Sequence, residues 1–202
     1  MKKIALLLAA LLLCLTVVGA VAEETVGGWT VVGEEDAAYT PNEAVEAAIV
    51  EAGLTPDLVM ATQVVAGTNY AVLSYTDNTV DIAYVYEPVS GEAPQFLGRQ
   101  PLVDSFAEGV GTWTEAPEEI DDATAEAIWA ALDELVGASY DNVYVLAQQV
   151  VAGTNYLLLG QKTLVTAEPV TSWVLITVNV NLEGKASILD IVDVPLGVEN
   201  VQ

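Results

Sequence analysis

The side chains able to do chemistry in this chain are few in kind. The sequence has no histidine and a single cysteine, Cys14. His-dependent catalysis, thiol catalysis and ordinary zinc sites therefore have no residues to carry them beyond position 14. What remains is carboxylate, with 29 Asp and Glu against 5 Lys and Arg and a formal net charge of −24. Two carboxylates at a suitable separation could work as acid and base. No Asp/Glu pair here has a spacing that sets it apart from solvated surface, and no D-x-D-x-D-G calcium loop is present. The acid-rich run Glu115–Asp122 reads as a linker and a helix start. We expect no catalytic residue, no metal site, no cofactor and no enzyme activity. The chemistry left to the chain is recognition.

One string stands out for that role. QVVAGTNY occurs at Gln63–Tyr70 and again at Gln149–Tyr156. An identical octamer in two otherwise divergent segments marks an internal duplication. Core residues drift readily among Val, Ile and Leu, because volume-conserving swaps cost little. A string that keeps its Gln, Gly, Thr and Asn is held by shape or contact, whether as a turn needed for folding or as a contact surface. The duplication extends further. Gly28-Trp29-Thr30 is matched by Gly111-Thr112-Trp113-Thr114. Trp29 and Trp113 stand 84 positions apart and Gln63 and Gln149 stand 86 apart. Each unit spans a normal length for a small domain.

The chain opens like a targeting signal. Lys2 and Lys3 precede an apolar run, Ile4 to Val18, and Ala20-Val21-Ala22 is a small-x-small site, which predicts cleavage after Ala22. We therefore expect a signal peptide at 1–22, a first unit at 23–106, a second at 107–202, and a secreted protein, extracellular or periplasmic. Cys14 follows Leu13 rather than a small residue, which argues against a lipid anchor. No later stretch is long and apolar enough to span a membrane. Removal of the signal leaves Arg99, Lys162 and Lys185 against all 29 acids, 3 − 29 = −26. A surface this negative disfavours nucleic acid and anionic membranes as partners and favours solubility.

The elements that would position the octamers follow from periodicity. Thr40-Pro41-Asn42-Glu43 reads as a capping box with Thr40 as the cap, and Val45, Ala48, Ile49 and Ala52 continue at helical spacing to Gly53. Ala125, Ile128, Trp129, Leu132 and Leu135 repeat that spacing up to Gly137, with Trp129 expected in the core. Strands are predicted at Leu58–Val65, Tyr70–Thr76, Thr79–Tyr86 and Phe96–Val103, and at Val143–Val151, Tyr156–Gln161, Thr171–Asn179 and Ser187–Val194. Gly28–Val32 suits a short opening strand. Ala66–Asn69 and Ala152–Asn155 are expected as hairpin connections.

These residues resemble the cystatin family. A Gly-Gly segment precedes a helix, then a strand, then Gln63-Val64-Val65-Ala66-Gly67, which fits that family's QxVxG motif; Gln149-Val150-Val151-Ala152-Gly153 repeats it. The chain is similar to tandem cystatin-like domains of a secreted, bacterial type. The resemblance implies an α+β fold: one helix packed across a curved four- to five-stranded antiparallel sheet, duplicated. It also implies a reversible competitive inhibitor of papain-like cysteine proteases. The protease-binding residues it implies are Gly27 and Gly28, Gln63 to Gly67 and Gln149 to Gly153. A later hairpin often carries Pro-Trp in that family. Here the sequence reads Pro88-Val89-Ser90-Gly91 and Asn181-Leu182-Glu183-Gly184, without Trp. On this reading Gly67→Trp blocks binding and the fold survives, with a loss on the order of 1–3 kcal/mol. The alternative is a non-inhibitory module that binds proteins or peptides in the cell envelope or extracellular space. A structural domain that keeps the octamer for its turn is a third reading.

Overall fold

The computed structural model describes residues 27–107 and 109–201. The expected signal peptide with Cys14, residues 23–26 and Glu108 lie outside them. The order is β1 (Trp29–Val31), α1 (Glu43–Glu51), β2 (Thr55–Val65), β3 (Gly67–Tyr75), β4 (Val80–Pro88) and β5 (Gln95–Val103). It continues with β6 (Thr114–Glu115), α2 (Asp122–Asp133), β7 (Ala138–Val151), β8 (Gly153–Leu164), β9 (Thr171–Val180) and β10 (Ala186–Asp193). A short 3-10 turn, Val198–Asn200, follows.

Each helix has an identifiable start. Asn42 caps α1, its Oδ1 accepting from the backbone N–H of Ala44 and Val45 at 3.0 Å each. The expected cap, Thr40, lies two residues too early, and Glu43 opens the helix instead of closing a box. Asp121 caps α2 by accepting from the Thr124 backbone N–H at 3.0 Å. Ile128 and Leu132 form the buried stripe of α2. Trp129 is 42% exposed, not core, because it lies off that stripe.

The strands form two antiparallel sheets, in the orders β1-β2-β3-β4-β5 and β10-β9-β8-β7-β6. The hairpins are tighter than expected. β2 and β3 pair down to Val65↔Gly67, and β7 and β8 down to Val151↔Gly153. Only Ala66 and Ala152 remain at the turns, and Gly67 to Asn69 already belong to the ladder. Register shifts at Pro56/Val59 and Val59/Ala61 in β2 recur at Asp141/Tyr144 and Val145/Ala147 in β7. Such irregularities bend a strand and increase its twist.

The expected α+β, cystatin-like arrangement, one helix across one curved sheet in each of two copies, is overturned. The described residues are mostly sheet, 48% strand against 14% helix, with two five-stranded antiparallel sheets and two helices among them. The reason lies in the strands. α1 has nine residues, and Val45 and Ile49 cover only the sheet face formed by Val59, Val72, Ala83 and Val85. The alternate residues Met60, Leu73, Ile82 and Tyr84 are just as deeply buried, and they pack in one cluster with Leu146, Leu159 and Trp173 of the other sheet. A sheet buried on both faces needs a second layer, which here is the partner sheet.

Hydrogen bonds stitch that seam. The Trp173 indole Nε1 donates to the Met60 carbonyl oxygen at 2.7 Å, and Gln161 Nε2 donates to the Val32 carbonyl at 2.7 Å. The Tyr39 and Tyr144 hydroxyls are hydrogen-bonded to each other, and the Gly197 N–H donates to the Tyr84 hydroxyl at 3.1 Å. Within the first sheet, Trp29 meets Tyr84 edge-on at 5.7 Å between ring centroids. The expected unit boundary at 106/107 falls in the connection between the sheets, whose inner faces share one core.

Candidate functional site

The polar residues of the octamer have a common task in both copies. Gln63 Nε2 donates to the Gly27 carbonyl oxygen at 2.8 Å, and Gln149 Nε2 donates to the Gly111 carbonyl at 2.8 Å. Each glutamine carbonyl is held in turn: Asn69 Nδ2 donates to Gln63 Oε1 at 2.7 Å and Asn155 Nδ2 to Gln149 Oε1 at 2.6 Å. The backbone closes the arrangement, with Gly27 N–H donating to Val64 O and Gly111 N–H to Val150 O, at 3.3 and 3.2 Å. Gln and Asn thus lash the glycine segment to the hairpin.

The glycine at the turn is required by close approach. Gly67 and Gly153 have φ of +151° and +100°. A Cβ on Gly67 would collide with the Glu87 carbonyl oxygen, and one on Gly153 with the Val180 carbonyl oxygen. Gly67 is itself buried. The expectation that Gly67→Trp leaves the fold largely intact is therefore corrected, since the clash is with backbone that cannot swing away.

Beside these polar braces stands an apolar edge. Val64 and Val150 are 43% and 57% exposed, and Val65, Ala66, Val151 and Ala152 are exposed next to them. On the far side of each tip the next turn adds an apolar residue. Gly67 pairs with Pro88, and Val89 follows at 84% exposure; Val180 pairs beside Gly153 at Thr154, and Leu182 lies in the following turn at 86%. On the near side of the second tip, Val110 is 93% exposed between Gly109 and Gly111. Its turn is braced by Thr112 Oγ1, whose single proton is shared between the carbonyl oxygens of Ala107 and Gly109, each 2.8 Å away. Each sheet therefore brings a glycine segment, a Val-Val-Ala tip and a later turn side by side at one end. Burying a valine contributes about 1.5–3 kcal/mol, so apolar side chains left in solvent at such a tip have no role in the fold's own core.

The site residues read from the sequence come together as two sets: Gly27, Gly28 and Gln63 to Gly67 at one tip, and Gln149 to Gly153 at the other. Sequence reasoning missed Asn69 and Asn155 as the glutamine partners, although both lie in the octamer. It gave no role to Thr112, which has no counterpart in the first copy. It read the turns at Val89 and Leu182 only as places lacking Trp. The first tip has one brace of its own, the Tyr86 hydroxyl donating to the Ala66 carbonyl at 2.6 Å.

No family model matches the chain, and no curated protein or solved structure matches it. The likeness to the cystatin motif therefore rests on the residues of the two tips.

Proposed function

We propose that the chain is a secreted protein that inhibits papain-like cysteine proteases reversibly and competitively, by inserting an apolar hairpin edge into the substrate cleft. The observation that supports this most is the same three-segment edge at both tips, with small apolar side chains in solvent and a polar brace behind them. A cleft binder of this kind needs no catalytic group. It needs shape, and it needs that shape fixed before binding. Valine and alanine have few rotamers to freeze, and hydrogen-bonded glycine segments lose little backbone freedom on docking. An edge of this extent fits an interface of roughly 1,600 Å² in total or less. Gln63 and Gln149 act behind the contact as positioning residues, and Val64, Val65 and Ala66 with Val150, Val151 and Ala152 form the contact itself.

Steady-state kinetics of papain on a peptide substrate test the mode of action. The protein should raise the apparent KM and leave kcat unchanged, as expected when it and the substrate compete for one cleft. A fall in kcat at constant KM contradicts insertion into the cleft. Stable binding to papain with neither parameter changed would make the edge a docking module of non-inhibitory type.

A further inference from the structure

A groove of about 530 Å³ opens beside the first tip. Its walls are apolar and small: Ala44 and Ala47 from α1, Pro88 at the end of β4, and Val89 and Pro94 from the turn that follows. Two carboxylates border it, those of Glu87 and Glu92. Glu87 is fixed in place. The Tyr70 hydroxyl donates to its Oε2 at 2.8 Å, and Asn42 Nδ2 lies 3.3 and 3.4 Å from its two oxygens. The Ser90 hydroxyl donates to Glu92 Oε2 at 3.2 Å. None of these partners carries a positive charge. Arg99 and Lys162 are engaged elsewhere, with Asp81 and Asp193.

We propose that this groove receives an arginine or lysine side chain of the protein that the first tip engages. The proposal rests on reading the tips as protein-binding edges and adds the chemistry of the neighbour selected there. An apolar groove bordered by an oriented carboxylate matches both parts of a cationic side chain. The aliphatic stem lies against alanine, valine and proline, and the charged head meets Glu87. A charge-assisted hydrogen bond to a carboxylate is roughly twice as strong as a neutral one. Glu87 is already ordered by Tyr70 and Asn42, so little freedom is lost in making it. The strongly negative chain draws a basic partner toward this face from a distance. The second tip lacks the device. Thr68 pairs with Glu87 in the first sheet and Thr154 pairs with Val180 in the second, so a valine stands where the carboxylate would be. The two tips therefore select differently, and only the first favours a basic residue next to the cleft.

Titration of the 15N-labelled protein with N-acetyl-arginine amide, followed by amide shifts, tests this without any protease. N-acetyl-citrulline amide, of similar shape and no charge, is the control. Saturable shifts at Ala44, Ala47 and Gly91 should appear with the arginine probe alone. Glu87→Gln, which still accepts from Tyr70, should weaken binding about tenfold, while Glu118→Gln on the connecting segment should leave it unchanged. Equal shifts with citrulline, shifts spread over every acidic surface, or an unchanged affinity in Glu87→Gln would each overturn the proposal. Papain inhibition without groove shifts removes the groove and keeps the inhibitor reading. Groove shifts without papain inhibition remove the inhibitor reading and keep the groove.

Discussion

The Gln63 side-chain amide bridges 36 residues of sequence to donate to the Gly27 carbonyl oxygen at 2.8 Å, while its own carbonyl accepts from Asn69. Gln149 makes the same two bonds to Gly111 and Asn155. The retention of Gln and Asn in both octamers thus has a physical cause. They hold a glycine segment beside the tip, and neither residue can be exchanged for an apolar one without orphaning the other.

Gln63→Glu separates the two bonds. A carboxylate still accepts from Asn69 but cannot donate to Gly27, and it places negative charge against a carbonyl. The Gly27 amide, bonded to Val64 O, should lose hydrogen-exchange protection, while the Asn69 side-chain amide keeps its environment. The variant should be less stable by about 1–3 kcal/mol, as expected when a hydrogen-bonded pair is left unsatisfied. Unchanged protection at Gly27 would show that the glutamine does not hold the segment.

Gly67→Ala and Gly153→Ala should both be costly. Each adds a Cβ that collides with a backbone carbonyl oxygen, and each asks an L-residue to adopt positive φ. Strain of about 1–3 kcal/mol is expected from the dihedral, with overpacking of similar size added. Chemical denaturation reads the loss directly. A loss below about half a kcal/mol, the usual range for surface substitutions, would contradict the close approach of the two strands.

How much of this was legible in the sequence depends on the distance between partners. The tips were legible, because the octamer prints itself twice and its flanks alternate as strands do. The helices were legible from Val45 and Ile49, and from Ile128 and Leu132, though the first cap was placed at Thr40 instead of Asn42. The seam was not. Trp173 and Met60 lie 113 residues apart, and nothing local to either says that they meet. The run Leu58-Val59-Met60-Ala61 shows that β2 is apolar on both faces. It does not show that the second face is covered by another sheet rather than left to solvent. The Thr112 turn beside Val110 was not legible for a related reason, since no periodicity encodes its geometry.

Trp173→Phe tests the seam. It removes the only donor of that ring and leaves the Met60 carbonyl, which also accepts from the Val32 N–H at 3.0 Å, short of one partner. A loss of about 0.5–1.5 kcal/mol is expected from the hydrogen bond. Tryptophan fluorescence and far-ultraviolet dichroism should still report a single transition, because the sheets share one core. Two separated transitions in the parent protein would contradict a shared core.

The phenol of Tyr70 should titrate late. Burial first, then the hydrogen bond and charge of Glu87, push it up from 10.0 to about 12. A group whose folded pKa is raised binds its proton more tightly in the fold than in the unfolded chain. Its contribution to stability is fully present below pH 10 and is lost as pH rises through about 12. Glu87→Gln removes the charge but not the burial, so the phenolate absorbance of Tyr70 should move to lower pH and stay above the ordinary tyrosine value. No movement would contradict the contact between the two side chains.

The most direct measurement of the central claim is the inhibition constant for active papain, taken for the parent protein and for Val65→Asp, Val151→Asp and the double variant. These side chains are exposed, so a change to Asp leaves the fold's core untouched while placing a desolvated charge in any apolar contact. The account predicts competitive inhibition by the parent, weakened by each single change and abolished in the double variant, with all four proteins equally folded by dichroism. A parent protein that does not inhibit at tens of micromolar, or a double variant as potent as the parent, would contradict it.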